Sequence, residues 1–407
     1  MPVLTRIGTL YTCAPEGGQG AVHPIADAAL AWEAGVIRWV GPERELPHEF
    51  RQWENWDAGG RMVIPGLVDC HTHLAFGGWR ADEFEQRILG RSYLEIAAAG
   101  GGILSTVAKT RAASESELTD RAAGFLSRMA ALGVTTVEAK SGYGLDLESE
   151  LRLLRVYRRL SGDGPLRVVS TFLGAHAVPA EYRERREEYV ELLIRRMLPI
   201  VATEKLARFC DVFVEQGAFT IAEGRRILLA GRAVGLGPKL HADQLTSGGG
   251  AELAAEVGAI SADHLECISD AGIAALAGSA TVAVSLPLAT AYLNHQPLPA
   301  RRLIDAGVPV AVATDFNPGS APSYHLPLAM LLACTLQRMT PAEVLKGATC
   351  LAALAIGLGR EIGSLEPGKA ADFAAIDAES VNHWLYHFTP NACTMTVCGG
   401  KRISSAT

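Results

Sequence analysis

"VIPGLVDCHTHLAFGG", residues 63–78, starts as an apolar run and ends on two imidazoles, His71 and His73. On a β-strand, positions i and i+2 share a face, so both rings leave the strand end in one direction. That arrangement suits one metal ion. Cys70 alternates to the opposite face and reads as core.

Seven more short apolar runs follow, each succeeded by a helical pattern: "VTTVEAK", "RVVSTFLGAH", "RFCDVFVEQ", "PKLHADQ", "ISADHLE", "TVAVSLP" and "PVAVATD". Apolar strands alternating with helices imply a parallel sheet covered on both faces. Eight such units over about 250 residues imply a (β/α)8 barrel. Both ends of the chain have another texture. Residues 1–62 hold short strand-like pieces with glycine turns, and Glu366-Pro367-Gly368-Lys369 is a turn between two further strand candidates. The reading is therefore α/β: a TIM-like (β/α)8 barrel at 63–365, with a small β-sandwich domain built from both termini, 1–62 and 366–407. Ser114 followed by Glu117 predicts a capping box ahead of a helix. The mixed signs of "RERREE" (183–188) predict a solvated helix face.

The chain has 407 residues, a net charge of −7, 49% hydrophobic and 20% charged residues. This is an ordinary globular balance, without the clustered basic face a nucleic-acid partner would need. No apolar stretch approaches the ~20 residues of a membrane span, and no signal peptide is evident. Eight scattered cysteines without CxxC pairs fit reduced thiols in a cytoplasm.

Barrel enzymes carry their chemistry at the C-terminal ends of the strands. Those ends read, in order, His71 and His73, Glu138 and Lys140, His176, Glu215, His241, His264, Pro287 and Asp315. Five histidines and an aspartate on one rim are hard to produce by packing alone. His71, His73, His241 and Asp315 form a nitrogen and carboxylate set suited to zinc or iron with one position left for water.

These positions, with "VIPGLVDCHTHL" and "GSLEPGKAADF", resemble the amidohydrolase superfamily. Binuclear members place a carboxylated lysine after strand 4. Glu215 stands there, which implies one ion, Zn2+ or Fe3+, and Lys140 after strand 2 is misplaced for a bridging ligand. The stretches "HTHLAFGGWRADEFEQRILGRSYLEIAAAGGGI", "EAKSGYGL", "TFLGAHAVP", "HADQ", "ADHLE" and "ATDFNPGS" are similar to the imidazolonepropionase family over essentially the whole chain. The resemblance implies hydrolysis of 4-imidazolone-5-propanoate to N-formimidoyl-L-glutamate in histidine degradation, and a homodimer.

The residue chemistry agrees with that reaction. Water on such a metal has a pKa of about 7. Asp315 can ligate the ion and carry a proton from that water to the leaving ring nitrogen. His264 can hydrogen-bond the attacked carbonyl oxygen or orient the water. Gln244, an amide and no base, is assigned to ring hydrogen bonding. Arg80 offers a bidentate fork to the propionate, unless it forms a surface ion pair with Asp82. Tyr143 and His176 add donors, and Tyr93 is a weaker candidate. The resemblance also places Asn317, Gly319 and Ser320 around the substrate, where "NPGS" suits a turn presenting backbone N–H groups. Gly100-Gly101-Gly102 reads either as part of a lid or as a tight turn between helices. A deaminase of nucleobase or guanidine-like groups would share the metal ligands without needing a carboxylate clamp. A non-catalytic barrel scaffold would typically have lost ligands.

Overall fold

The computed structural model of the protein describes residues 1–91, 95–96 and 100–405. It contains two sheets of eight strands each. The first is built from both chain ends: β1 (Pro2–Tyr11), β2 (Pro24–Glu33), β3 (Val36–Pro42), β4 (Glu54–Asp57), β5 (Met62–Pro65) and the late strands Phe373–Ile376, Cys393–Cys398 and Lys401–Ser405. Most of its neighbours are antiparallel, but β1 runs parallel to both β4 and β5. The strand Met62–Pro65 pairs with β1 and with Phe373–Ile376 in this sheet, so the change of sheet falls at Gly66, inside the segment assigned from sequence to the barrel. The sheet has its own apolar core, with Trp32 edge-on to both Trp56 and Phe373 at 5.2 Å.

The second sheet is the barrel: β6 (Leu67–Thr72), β7 (Val134–Lys140), β8 (Arg167–Ala175), β9 (Phe209–Val214), β10 (Gly237–Ala242), β11 (Ser261–His264), β12 (Val282–Ser285) and β13 (Val310–Val312). Neighbours are parallel and follow chain order throughout. Each strand is almost entirely buried, which is why the sequence shows continuous apolar runs rather than alternation.

Closure of the barrel happens at the candidate site. β13 is short, and contact with β6 is made beyond its end: the Asp315 N–H donates to the His71 carbonyl at 3.1 Å, and the His73 N–H to the Phe316 carbonyl at 2.8 Å. One turn earlier, buried Asp69 accepts from the Thr314 N–H at 3.0 Å and its hydroxyl at 2.6 Å. The first and last strands are therefore tied through the very residues that would hold a metal.

Helix starts follow the sequence signals. Ser114 and Glu117 form a complete capping box on helix Glu115–Ala131, and Thr220/Glu223 and Thr340/Glu343 repeat it. Each such cap contributes about 1 kcal/mol. In "RERREE", Glu187 pairs with Arg226 and Arg186 with Glu223, as a charged outer face would.

Candidate metal and substrate site

All five rim histidines are linked through ring contacts. His71 is 4.6 Å from His241, 5.4 Å from His73 and 5.7 Å from His264 between centroids. Asp315 Oδ1 lies 3.3 Å from His71 Nε2 and 3.5 Å from His73 Nε2. Ligand atoms of His71, His73 and Asp315 fall within 4.8 Å of one another, as do those of His71, His241 and His264. Asp315 sits at φ +55°, in the left-handed region, where β13 ends and the chain turns over the barrel mouth.

The other face of each imidazole explains its orientation. His71 Nδ1 lies 2.7 Å from Asp263 Oδ2, and His241 Nδ1 lies 3.1 Å from Asp211 Oδ2. An ionised carboxylate only accepts, so both Nδ1 atoms carry the proton and both Nε2 atoms present a lone pair. Both Nε2 atoms are buried and lack a hydrogen-bond partner. Orphaned buried nitrogens are costly unless something binds them, and a metal ion fits that requirement.

Electrostatics point the same way. Burial and Lys140 push the His71 ring down, yet Asp263 and Asp315 outweigh them and raise it to about 9. The space at Nε2 therefore favours positive charge, which a metal ion supplies without a proton. Burial alone would raise the Asp315 carboxyl, but the adjacent His71 and His73 rings hold it well below the usual carboxylate range. It stays an anion.

The sequence reasoning missed Asp211 and Asp263. The signal was available: each is a lone carboxylate inside an apolar strand run, and such a group is almost never fully buried unless paired. Lys140, left without a role by the sequence, stands between them. Glu215 serves a different purpose: it accepts from the Leu245 N–H at 2.8 Å and pins the loop after β10.

The substrate candidates surround this cluster unevenly. Tyr143 is buried with its ring 5.5 Å from His73 and 5.4 Å from His176. His176 stacks on His73 at 5.0 Å and bonds the Gly142 carbonyl through Nδ1 at 3.1 Å. Burial, followed by His73 and His241, holds its pKa well below that of free histidine, so the ring is neutral. Gln244 is partly exposed in the loop held by Glu215 and by Asp243, and its amide has no hydrogen bond among the described residues.

Arg80 makes no ion pair among the described residues, with Asp82 or any other acid, and its Nε is buried without a partner. Its guanidinium lies against Gly319: a Cβ there would fall 1.6 Å from Nη2. The 317–320 turn itself corrects an expectation. Asn317 Oδ1 accepts from the N–H groups of Gly319 at 2.7 Å and Ser320 at 2.8 Å. Those N–H groups point inward because the asparagine side chain closes the turn on itself. Asn317 Nδ2 is likewise taken, by the Asp315 carbonyl at 2.7 Å and Ser320 Oγ at 2.9 Å. Ser320 Oγ in turn donates to Asp315 Oδ2 at 3.4 Å, and the surface of Gly319 lies under Arg80.

Gly100 and Gly102 have φ of +87° and +70°, and the Gly102 N–H donates to Glu83 at 2.9 Å. Both glycines are thus required by the backbone where helix Ile103–Ala112 begins. Tyr93 lies outside the described residues.

A family model described as the amidohydrolase family matches residues 244–403. An imidazolonepropionase of Geobacillus thermodenitrificans is 52% identical over 93% of this chain and 90% of its own length. One of Myxococcus xanthus is 50% identical over 95% and 92%. Among solved structures, a mutant atrazine chlorohydrolase of Arthrobacter aurescens complexed with zinc and atraton superposes with a TM-score of 0.72 over 99% of this chain and 95% of its own, at 15% identity. That last likeness concerns the fold alone.

Proposed function

The chain belongs to the imidazolonepropionase family, and we propose that its reaction is divided between a metal wall of His71, His73, His241 and Asp315 and a substrate rim led by Arg80. It hydrolyses the cyclic amide of 4-imidazolone-5-propanoate to N-formimidoyl-L-glutamate in L-histidine degradation. The observation that carries the metal reading is the pair of orphaned Nε2 atoms on His71 and His241, each aimed by an aspartate at its opposite nitrogen.

One ion per chain, Zn2+ or Fe3+, suits this donor set. When bound, it acidifies a water molecule to a pKa of about 7 and polarises the amide carbonyl. Asp315 accepts the proton of the attacking water and returns it to the ring nitrogen as the amide C–N bond breaks, which leaves a carboxylate on the former carbonyl carbon and makes the freed nitrogen the end of the formimidoyl group on the α-nitrogen. Ser320 Oγ, 3.4 Å away, orients that carboxylate. His264 stands over the cluster at φ +81° with Nδ1 3.7 Å from Glu266, placed to donate to the carbonyl oxygen as charge develops there. Arg80 forks the propionate, with Tyr143 and neutral His176 as further donors, and Gln244 bonds the ring edge. Asn317 acts by shaping the turn, and Gly319 by making room for Arg80.

No helix among the described residues is long and apolar enough to cross a membrane, and all eight cysteines are free. The reading accordingly includes a cytoplasmic enzyme, with a homodimer that follows from the resemblance and that sedimentation measures directly. The test of the reaction is an assay on freshly generated imidazolonepropionate, following its loss and the appearance of formimidoylglutamate. Release of ammonia with the ring intact would favour the deaminase alternative.

A further inference from the structure

Lys140 is an ammonium without solvent exposure beneath the histidine cluster, and the reaction above gives it nothing to do. Its Nζ lies 2.7 Å from Asp211, 3.1 Å from Asp263 and 3.1 Å from Glu138. Asp211 and Asp263 are the same two carboxylates that face His241 and His71. Oxygens of these aspartates lie within 4.8 Å of each other, close enough for strong repulsion in a dry interior. Glu138 is shared with Lys239 at 3.0 Å, and among the described residues Lys140 is the one lysine or arginine paired with both aspartates.

We propose that Lys140 is a positioning residue for the metal: a fixed internal cation that holds Asp211 and Asp263 side by side, each with an oxygen turned to a ligand histidine. The inference rests on the reading that His71 and His241 ligate the ion. Its logic is geometric. Two anions so close keep a common orientation only around a shared cation. Each carboxylate fixes one imidazole in the tautomer and direction that leave Nε2 free. One side chain thereby aims two ligands that come from strands β6 and β10. Strand β7, which carries Lys140, supplies no ligand itself.

Loss of partners of this kind typically costs 10–100-fold in metal affinity. Lys140→Met keeps most of the volume and removes the charge. In zinc-loaded protein titrated with dipicolinate, the concentration that strips half the zinc should fall by about 10- to 100-fold. With cobalt(II) in place of zinc, the visible spectrum should change shape, which a role in packing alone would not produce. Because the effect passes through the aspartates, adding Lys140→Met to the Asp211→Asn/Asp263→Asn pair should change the midpoint by no more than about twofold. A wild-type midpoint and cobalt spectrum in Lys140→Met would overturn the inference, as would full additivity in the triple variant. If Lys140→Met does not fold, Asp263→Asn carries the test: a lowered midpoint supports the inference and an unchanged one overturns it. His71→Ala serves as the separate control, since retention of zinc there would remove the ligand reading itself.

Discussion

The two halves of the site are built differently. On the metal side two imidazole directions are set from behind: Asp263 and Asp211 hold His71 and His241, and the backbone bonds that close the barrel run through His71, His73 and Asp315. These residues are buried, and charged groups stand behind them. On the substrate side Arg80 and Gln244 have fewer partners. Among the described residues, Arg80 has no ion pair and the Gln244 amide has no hydrogen bond. The contrast teaches where each kind of binding energy is stored. A metal ion demands fixed donors, because misplaced ligands cost affinity steeply. A substrate that must enter and leave is better met by groups that form their hydrogen bonds on arrival.

The contrast breaks most visibly on the metal side. His71→Ala or His241→Ala should lose bound metal and nearly all turnover, because one of few ligands is gone. Metal content by elemental analysis and the rate on imidazolonepropionate should fall together. A variant that keeps both would show that the wall is not where the ion sits. Asp315→Asn should come next. It alters a ligand and the proton carrier together, so turnover should drop by more than the two to four decades of ordinary acid–base removal (10²–10⁴-fold), while thermal unfolding of the metal-free protein stays close to wild type.

The substrate side should respond in KM. Arg80→Met removes a charged hydrogen-bond fork worth roughly 1.5–3 kcal/mol, about 10- to 200-fold in affinity. KM should rise by that factor with metal content unchanged, and an imidazolone lacking the carboxylate should be handled equally poorly by wild type and variant. Gly319→Ala should act through the same arginine. The new methyl would fall 1.6 Å from Nη2, and because Arg80 is a flexible side chain it moves aside at little cost to the fold. Its KM effect should stay below that of Arg80→Met and should disappear when the two are combined. A large loss of stability instead would place the clash in the turn itself. Gln244→Ala should be the mildest, a several-fold rise in KM from one neutral hydrogen bond of about 1 kcal/mol. Damage equal to Asp315→Asn would overturn the division of roles.

That His71, His73, His241 and Asp315 come together was largely legible in the sequence. Two histidines at i and i+2 after an apolar run, with His241 and Asp315 at later strand ends, needed only strand alternation and the barrel rule. Asp211 and Asp263 were harder, because partners contributed from separate strands leave no spacing signal. Their trace was only that a charged residue sat where a strand is buried on both faces. The substrate side was legible by residue type but not by direction. "NPGS" announced a turn, yet whether its N–H groups face out or in depends on the Asn317 side chain, which a motif does not reveal. The terminal sheet was visible as strands and turns. Its parallel pairs, β1 with β4 and β5, join segments some fifty residues apart, where neither turn chemistry nor periodicity carries register information.

The most direct test of the divided site is a metal titration of chelated wild-type protein. Zinc or iron is added in measured equivalents while conversion of imidazolonepropionate to formimidoylglutamate is followed. Turnover should start near zero, rise linearly and break at one equivalent per chain. Full turnover in the metal-free protein, or a break at two equivalents, would contradict it.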